Sequence, residues 1–419
     1  MKVQLKDRYI YIIAVIHALL LICFGEIRIY NDTPTYINAW ENSLSHFQID
    51  IFRTPVYPLL IGLCKSICGD FLEVVVVLQH LIFIISVFYF KRIAACFIES
   101  QKVVFTITVL YIITPGIGDW ANCILTESLA ISGLVFLFYN IVWWVKTRKR
   151  SCVTYSTLWL LLLVFLRPSF IYLFLLCLLL WIYLLKKDKK MSIYGISGVL
   201  FVVCLYCGYS IKFNEHYGIF STSSVGTINK TYIALQGDLM RPEFTEVSEF
   251  KKDIIKNRNC SGDSIWEVSN YYISKYGLET VDKSINKSIK TYPSAWIKNA
   301  FRRLRYSAET KIPSYTMFNY GKILNFIFLI LSIRFLYIYV FVFLYFVIIL
   351  KWMITKKKIL FSLFLWLAVA SNIFIAVVGA QAEWGRLIAP SAPLLLIMLG
   401  QVSNYISIKS TPKTNNILI

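Results

Sequence analysis

Residues 71–90 read FLEVVVVLQHLIFIISVFYF, an apolar run with no alternation of polar and apolar positions. As a helix rising about 1.5 Å per residue, such a run crosses the roughly 30 Å hydrocarbon core of a bilayer. Lipid offers the backbone no hydrogen-bond partner, so only a helix or a closed barrel can cross it, and a continuous run excludes the alternating barrel strand. Similar runs cover 9–27, 101–117, 127–145, 154–166, 169–185, 193–211, 331–351, 359–378 and 387–406. They give about ten spans; the two short ones flanking Arg167-Pro168 can also be read as one hairpin. With 58% hydrophobic and 16% charged residues, the chain reads as an all-α polytopic membrane protein.

Positive charge sets the expected orientation, because short loops rich in Lys and Arg stay in the cytoplasm. Lys2, Lys6 and Arg8, then Lys91-Arg92, Lys146 to Arg150, Lys186 to Lys190 and Lys351 to Lys358 mark one side. Both termini are therefore expected in the cytoplasm. Segments 28–70, 116–127, 167–168, 212–322 and 379–386 then face outward. The segment 212–322 holds 17 Lys/Arg against 11 Asp/Glu, but long loops translocate largely regardless of charge. Much of the net charge of +20 lies in the topology-setting clusters, so it calls for no nucleic acid. The first apolar stretch is too long for a cleaved signal and is expected to remain as an anchor.

Three parts are expected: an N-terminal transmembrane module, 1–211, whose first outer loop is 28–70; an extracytoplasmic domain, 212–322; and closing helices with a tail, 323–419. Pro55 to Gly69 is apolar but short and bracketed by turn signals, which predicts an interfacial or re-entrant helix. In the mainly helical outer domain, 243–258 reads as a charged amphipathic helix and 263–310 as helix interrupted at Pro293. Ten scattered cysteines give no disulfide framework, and Cys204 and Cys207 lie within an apolar helix. The four histidines, His17, His46, His80 and His216, have no metal-ligand spacing. No cofactor is called for; a divalent metal is compatible with the chemistry below but not required by it.

The polar residues that structure alone explains least sit on the outward side. Asp32, in Asn31-Asp32-Thr33-Pro34-Thr35-Tyr36, suits an N-terminal helix cap, with Pro34 in the first turn. Arg53, before Thr54-Pro55-Val56-Tyr57-Pro58, is either a bidentate phosphate ligand at the headgroup plane or a snorkelling interfacial side chain. Glu127 opens a helix, where a carboxylate also serves the helix dipole. Arg167 joins two spans, and Arg386 precedes the last one, within reach of Glu383 or an anionic ligand. Ionisable groups at a membrane edge are functional candidates by default. The formal sequon Asn31-Asp32-Thr33 is expected to be unmodified.

Taken in order, these stretches resemble the GT-C glycosyltransferases that use polyprenyl-phosphate sugars, the branch of protein mannosyltransferases and aminoarabinose transferases. The matching pieces are Asp32 to Tyr36, Arg53 to Gly62, Thr126-Glu127-Ser128, Leu166-Arg167-Pro168 and Arg386 to Pro393; residues 212–322 match nothing in that family. Arg53 stands where many relatives have lysine or histidine. The resemblance implies a sugar linked through one phosphate to a polyprenol, moved to a glycan, lipid or protein acceptor at the outer face of a membrane, expected to be a bacterial inner membrane. It implies Asp32 as general base and Glu127 as a second catalytic carboxylate, with Arg53 and Arg386 on the donor phosphate. Tyr36, Tyr57, Arg167 and Glu383 are the further candidates for substrate contact.

Two other classes fit the same composition. A polymerase or ligase using a lipid-diphosphate oligosaccharide would want several outer arginines, and Arg302, Arg303 and Arg305 supply them. A transporter or flippase of lipid-linked sugars would want charge near the bilayer midplane, for which Arg334 is the clearest candidate.

Overall fold

A computed structural model describes residues 5–114, 116–258, 260, 264–310, 334–354, 360–380 and 384–409. Among them there is no strand; an isolated bridge pairs Arg28 with Cys123. The first half comprises α1 (Leu5–Phe24), α2 (Thr33–Asn42), α3 (Val56–Ile67), α4 (Phe71–Phe97), α5 (Gln101–Ile113), α6 (Glu127–Thr147), α7 (Arg150–Leu166), α8 (Tyr172–Leu184) and α9 (Lys189–Tyr217). Then follow α10 (Val225–Gln236), α11 (Ser248–Lys256), α12 (Ser264–Tyr276), α13 (Leu278–Thr291) and α14 (Pro293–Glu309). The chain closes with α15 (Phe335–Ile354), α16 (Leu360–Gly379), α17 (Trp384–Ile388) and α18 (Ala392–Lys409).

Among the described residues, seven stretches are long and apolar enough to cross a membrane by themselves, including Phe71–Phe97, Glu127–Thr147 and Lys189–Tyr217. Arg8–Phe24, Arg150–Leu166 and Pro168–Leu184 are shorter apolar helices, so every expected span finds a helix. The chain is an integral membrane protein. The pair around Arg167-Pro168 is two helices: Arg167 is extended and Pro168–Ile171 forms a tight turn between them. Pro168 prevents continuation because its ring disfavours a helical residue before it. Arg334 lies at the very start of α15, exposed.

Helix α6 is the axis of the bundle. Its side chains are buried on nearly every face, which is the signature of a helix surrounded by protein on all sides. The bundle has two ends. Basic residues such as Arg92, Arg148 and Arg150 gather at one, over rings of Phe88, Trp144 and Tyr194. The connections α1–α4, α5–α6, α7–α8 and α16–α18 gather at the other, the site end.

At the site end, α2 and α3 form a hairpin of short helices where an interfacial helix was expected over 55–69. The indole of Trp40 lies against Gly62, leaving no room for a Cβ, and Lys65 pairs with Glu41 across the same seam. The hairpin is tied to the bundle by Thr33 Oγ1 donating to Ile124 O at 3.0 Å and Thr54 Oγ1 to Leu166 O at 3.2 Å. Backbone bonds Arg28 N to Asn122 O, 2.9 Å, and Ile124 N to Arg28 O, 3.1 Å, join the first and second connections directly.

Residues beyond α9 build a second core around Phe213, Ile228, Phe250, Tyr272 and Ile285. Helix α9 runs unbroken across residue 211 and carries Phe213 into that core. Ile49 and Ile51 of the first connection pack on it, and Ser224 N donates to Ile51 O at 2.7 Å. The helical stretch expected over 263–310 is broken at Gly277 as well as at Pro293. Gly277 adopts φ +82°, a region side-chain-bearing residues avoid. The amphipathic helix expected over 243–258 is confined to Ser248–Lys256, after a turn at Pro242–Phe244.

Replacing Gly62 with valine should drive Trp40 out of the α2–α3 seam and cost about 1–3 kcal/mol. Gly69→Ala, at a position where a Cβ meets nothing within 4 Å, should leave the thermal midpoint in detergent where it was.

Candidate functional site

Five charged side chains from five separate segments meet at the site end, alternating in sign. Asp32 stands between two arginines: Arg53 Nη2 donates to its Oδ1 at 2.7 Å and Arg386 Nη2 to its Oδ2 at 2.6 Å. Arg386 Nε lies 3.1 Å from Glu127 Oε1, and Arg167 Nη1 lies 3.4 Å from the same oxygen. The order is Arg53, Asp32, Arg386, Glu127, Arg167. An anion arriving beside Asp32 would meet two guanidiniums at once, those of Arg53 and Arg386.

Local structure explains how each is aimed. Asp32 is at the N-terminal boundary of α2 but makes no capping bond. Thr33 Oγ1 accepts from Tyr30 N at 2.9 Å, so part of the turn is closed without Asp32 and the carboxylate is spent on the arginines. Asp50 accepts from the backbone N–H of Phe52 and Arg53, at 2.8 and 2.7 Å, an Asx turn that sets the direction of Arg53. The Arg53 guanidinium also donates to Thr35 Oγ1 at 2.6 Å and to Tyr36 OH at 3.2 Å, and its carbon lies 4.2 Å from the Tyr36 ring centre.

Below Arg53 the support is dry. Tyr36 meets Tyr57 edge to face, with centroids 5.0 Å apart. Tyr57 is fully buried, and its hydroxyl donates to Gln79 Oε1 at 3.1 Å. Gln79 in turn donates to the carbonyls of Ala121 and Cys123, both at 2.9 Å. Tyr57 is therefore a buried support beneath Tyr36, itself 7% exposed.

Depth separates the two carboxylates. The Asp32 side chain retains 29% exposure, whereas Glu127 retains 1%. Burial pushes the Asp32 carboxyl up, but Arg53 and Arg386 outweigh it and hold it below its ordinary value. Glu127 is the first residue of α6, and its Oε2 is buried with no hydrogen-bond partner among the described residues. Its other oxygen is engaged by Arg386 and Arg167, so helix capping does not account for it.

Glu383, the eighth expected site residue, lies outside the described residues; Arg386 is paired with Asp32 and Glu127. The three arginines of α14 do not gather. Arg303 is buried: Nε donates to Val377 O at 3.1 Å, Nη1 to Gln236 Oε1 at 3.2 Å, and Nη2 to Ala380 O. It closes the last carbonyls of α16, where a cation is favoured, and burial pushes it down to about 10. Arg302 and Arg305 are exposed. Thr35 and Asp50 belong to the site and were not singled out by sequence. The signal for Asp50 is its spacing, three residues before Arg53 with no regular element between.

No protein-family model matches the chain, and no curated protein matches it. In structure the chain is similar to the archaeal oligosaccharyltransferase AglB from Archaeoglobus fulgidus, solved in complex with an inhibitory peptide and a dolichol-phosphate. The likeness has a TM-score of 0.46 and 13% identity, and covers 100% of this chain and 53% of that one. The chain thus spans about half the length of that structure, 53%.

Removing Glu127 by alanine leaves two guanidiniums facing each other in a dry site and should cost about 3–5 kcal/mol, with Glu127→Gln costing less. The lowered Asp32 pKa gives a pH test. Its stabilisation is complete above the unfolded value of about 3.9 and is lost as pH falls through the lower folded value. Thermal midpoints of the wild type should drop in that window, and those of Asp32→Asn should drop less.

Proposed function

We propose that the chain is a membrane glycosyltransferase that moves a sugar from a polyprenyl-phosphate donor to an acceptor hydroxyl, at the outer face of a bacterial inner membrane. The observation that carries this reading is Asp32 held between Arg53 and Arg386 at the site end. It puts a surface-reaching carboxylate beside two partly buried cations where the phosphate of a membrane-anchored lipid would lie. The family resemblance of the motifs supplies the reaction class; the charge alternation supplies the roles.

In the proposed reaction the acceptor oxygen attacks the anomeric carbon as the bond from that carbon to the phosphate oxygen breaks. The electron pair leaves with polyprenyl phosphate, and the hydroxyl proton passes to Asp32. A single displacement inverts the anomeric centre. The donor phosphodiester carries one negative charge and the departing monoester gains a second. Arg53 and Arg386 therefore bind the leaving group more strongly as the bond breaks than before it.

The same pairing gives Asp32 its timing. With no donor present both arginines hold its carboxylate, which keeps it a weak base. An arriving phosphate competes for the same guanidinium hydrogens. As they turn to it, Asp32 loses its positive neighbours and its basicity rises toward that of a free carboxylate, when the attacking hydroxyl is becoming acidic. Glu127, at the other side of Arg386, is a positioning residue in this reading: it holds Arg386 and Arg167 apart and in place.

A diphosphate donor is less well served, because Arg303 is committed to the end of α16 and Arg302 and Arg305 do not join the cluster. The test is release of polyprenyl phosphate from a panel of polyprenyl-phosphate sugars, using purified protein and cell-envelope acceptors. Asp32→Asn should lower release by about 10²- to 10⁴-fold, the range for a general base. Arg53→Lys, which keeps the charge but loses the fork, should lower it less than Arg53→Ala. Release of polyprenyl diphosphate would overturn the monophosphate assignment, and release unaffected by Asp32→Asn would overturn the base.

A further inference from the structure

Helix α14, the last helix of the second core, is not fully used by its contacts. At about 100° per residue its side chains divide into three arcs. Asn299, Arg303 and Ser307 form one arc and are buried. This arc joins the second core to the membrane helices: Asn299 Nδ2 donates to Ile233 O of α10 at 3.3 Å, Arg303 closes the end of α16, and Ser307 Oγ bonds Tyr339 OH of α15 at 2.6 Å. Leu304, Ile297 and Phe301 form the second arc, spanning about 60°. Leu304 packs on the edge of the membrane core, but Ile297 and Phe301 are 58% and 67% exposed. Arg305, Lys298 and Arg302 form the third, spanning about the next 60°, all exposed; Glu309 of the last turn falls in the same arc and leaves it with a net positive charge.

The position of this helix decides what the two open arcs meet. Arg303 bonds the carbonyls of Val377 and Ala380, where α16 leaves the apolar layer, so α14 runs across the membrane boundary. An apolar arc that continues the surface of the membrane helices faces hydrocarbon, and a cationic arc beside it lies at headgroup depth. Large exposed Ile and Phe side chains next to three cations suit that boundary and suit water poorly. Among the described residues no carboxylate pairs with Lys298, Arg302 or Arg305.

We infer that α14 is an interfacial helix that seats the second core on the leaflet at the site end and binds the headgroups of anionic phospholipids through Lys298, Arg302 and Arg305, with Ile297 and Phe301 in the acyl region. The inference rests on the membrane placement of the bundle and not on the proposed reaction. A diphosphate donor is not needed to explain these arginines: each headgroup phosphate offers the same chemistry, at the depth the helix occupies.

The test places p-benzoylphenylalanine at Phe301 in the full-length protein. The protein is reconstituted in nanodiscs of phosphatidylcholine with a minority of phosphatidylglycerol, and the intact mass is read after irradiation. Lipid adducts are expected at this position, and the same photoprobe at Lys256, on the exposed part of α11, should give none. The share of phosphatidylglycerol among the adducts should exceed its mole fraction about threefold. In the variant Lys298→Gln/Arg302→Gln/Arg305→Gln the adducts should persist while that share falls to the mole fraction. These residues are exposed, so an unchanged thermal midpoint is expected and separates lipid selection from folding. Absence of lipid adducts at Phe301, crosslinking to a second copy of the chain, or adducts at mole fraction in the unaltered protein would each overturn the inference.

Discussion

Neutralisation of charge in a dry place is the constraint on which the site end depends. Arg53 and Arg386 are held largely out of water, and a guanidinium cannot shed its proton to escape the cost of desolvation. Each must therefore be met by a carboxylate, and each carboxylate by a guanidinium. Asp32 and Glu127 satisfy this by sharing Arg386. The alternation forces five segments to converge: the entry to α2, the entry to α3, the start of α6, the end of α7 and the entry to the last helix. Around that convergence the neutral bonds of Thr33, Thr54 and Gln79 fix the backbones that carry the charges.

The cluster stays open to a ligand because its members are unequally buried. A fully buried alternation would be a structural lock, and a fully exposed one would be screened and weak. Here Asp32 keeps an exposed edge between Arg53 and Arg386, while Glu127 is buried. Tyr36 covers the face of Arg53 and leaves its edge for carboxylate or phosphate. The second core leans on this arrangement through Ile49 and Ile51, which flank Asp50, the residue whose Asx turn aims Arg53, so its seating and the aim of the arginine share one short stretch of chain.

Much of this was legible in the sequence. The helices are visible because apolar runs of span length have no other stable state in lipid. The convergence of Asp32, Arg53, Glu127, Arg167 and Arg386 was foreseeable as a shared side, since each falls at a connection on the poorly basic face. The pairing was not. Asp32 has the sequence signature of a cap, and only the position of Arg53, 21 residues away, and of Arg386, 354 residues away, reveals that its oxygens are used elsewhere. Arg302, Arg303 and Arg305 look alike in sequence, yet the helical twist sends the middle one inward and its neighbours outward. Gly277 reads as a residue inside a helix until its backbone is seen to require a positive φ.

The 354 residues between Asp32 and Arg386 also carry a consequence in time. A ribosome adding about 5–20 residues per second needs on the order of tens of seconds to cover that interval. Throughout it Arg53 and Asp32 have each other, but Glu127 and Arg167 wait at the membrane edge without the arginine that links the two pairs. The completed alternation therefore appears in one step, when the final helix enters the bundle, and a chain arrested short of that helix has no assembled site with which to engage a lipid.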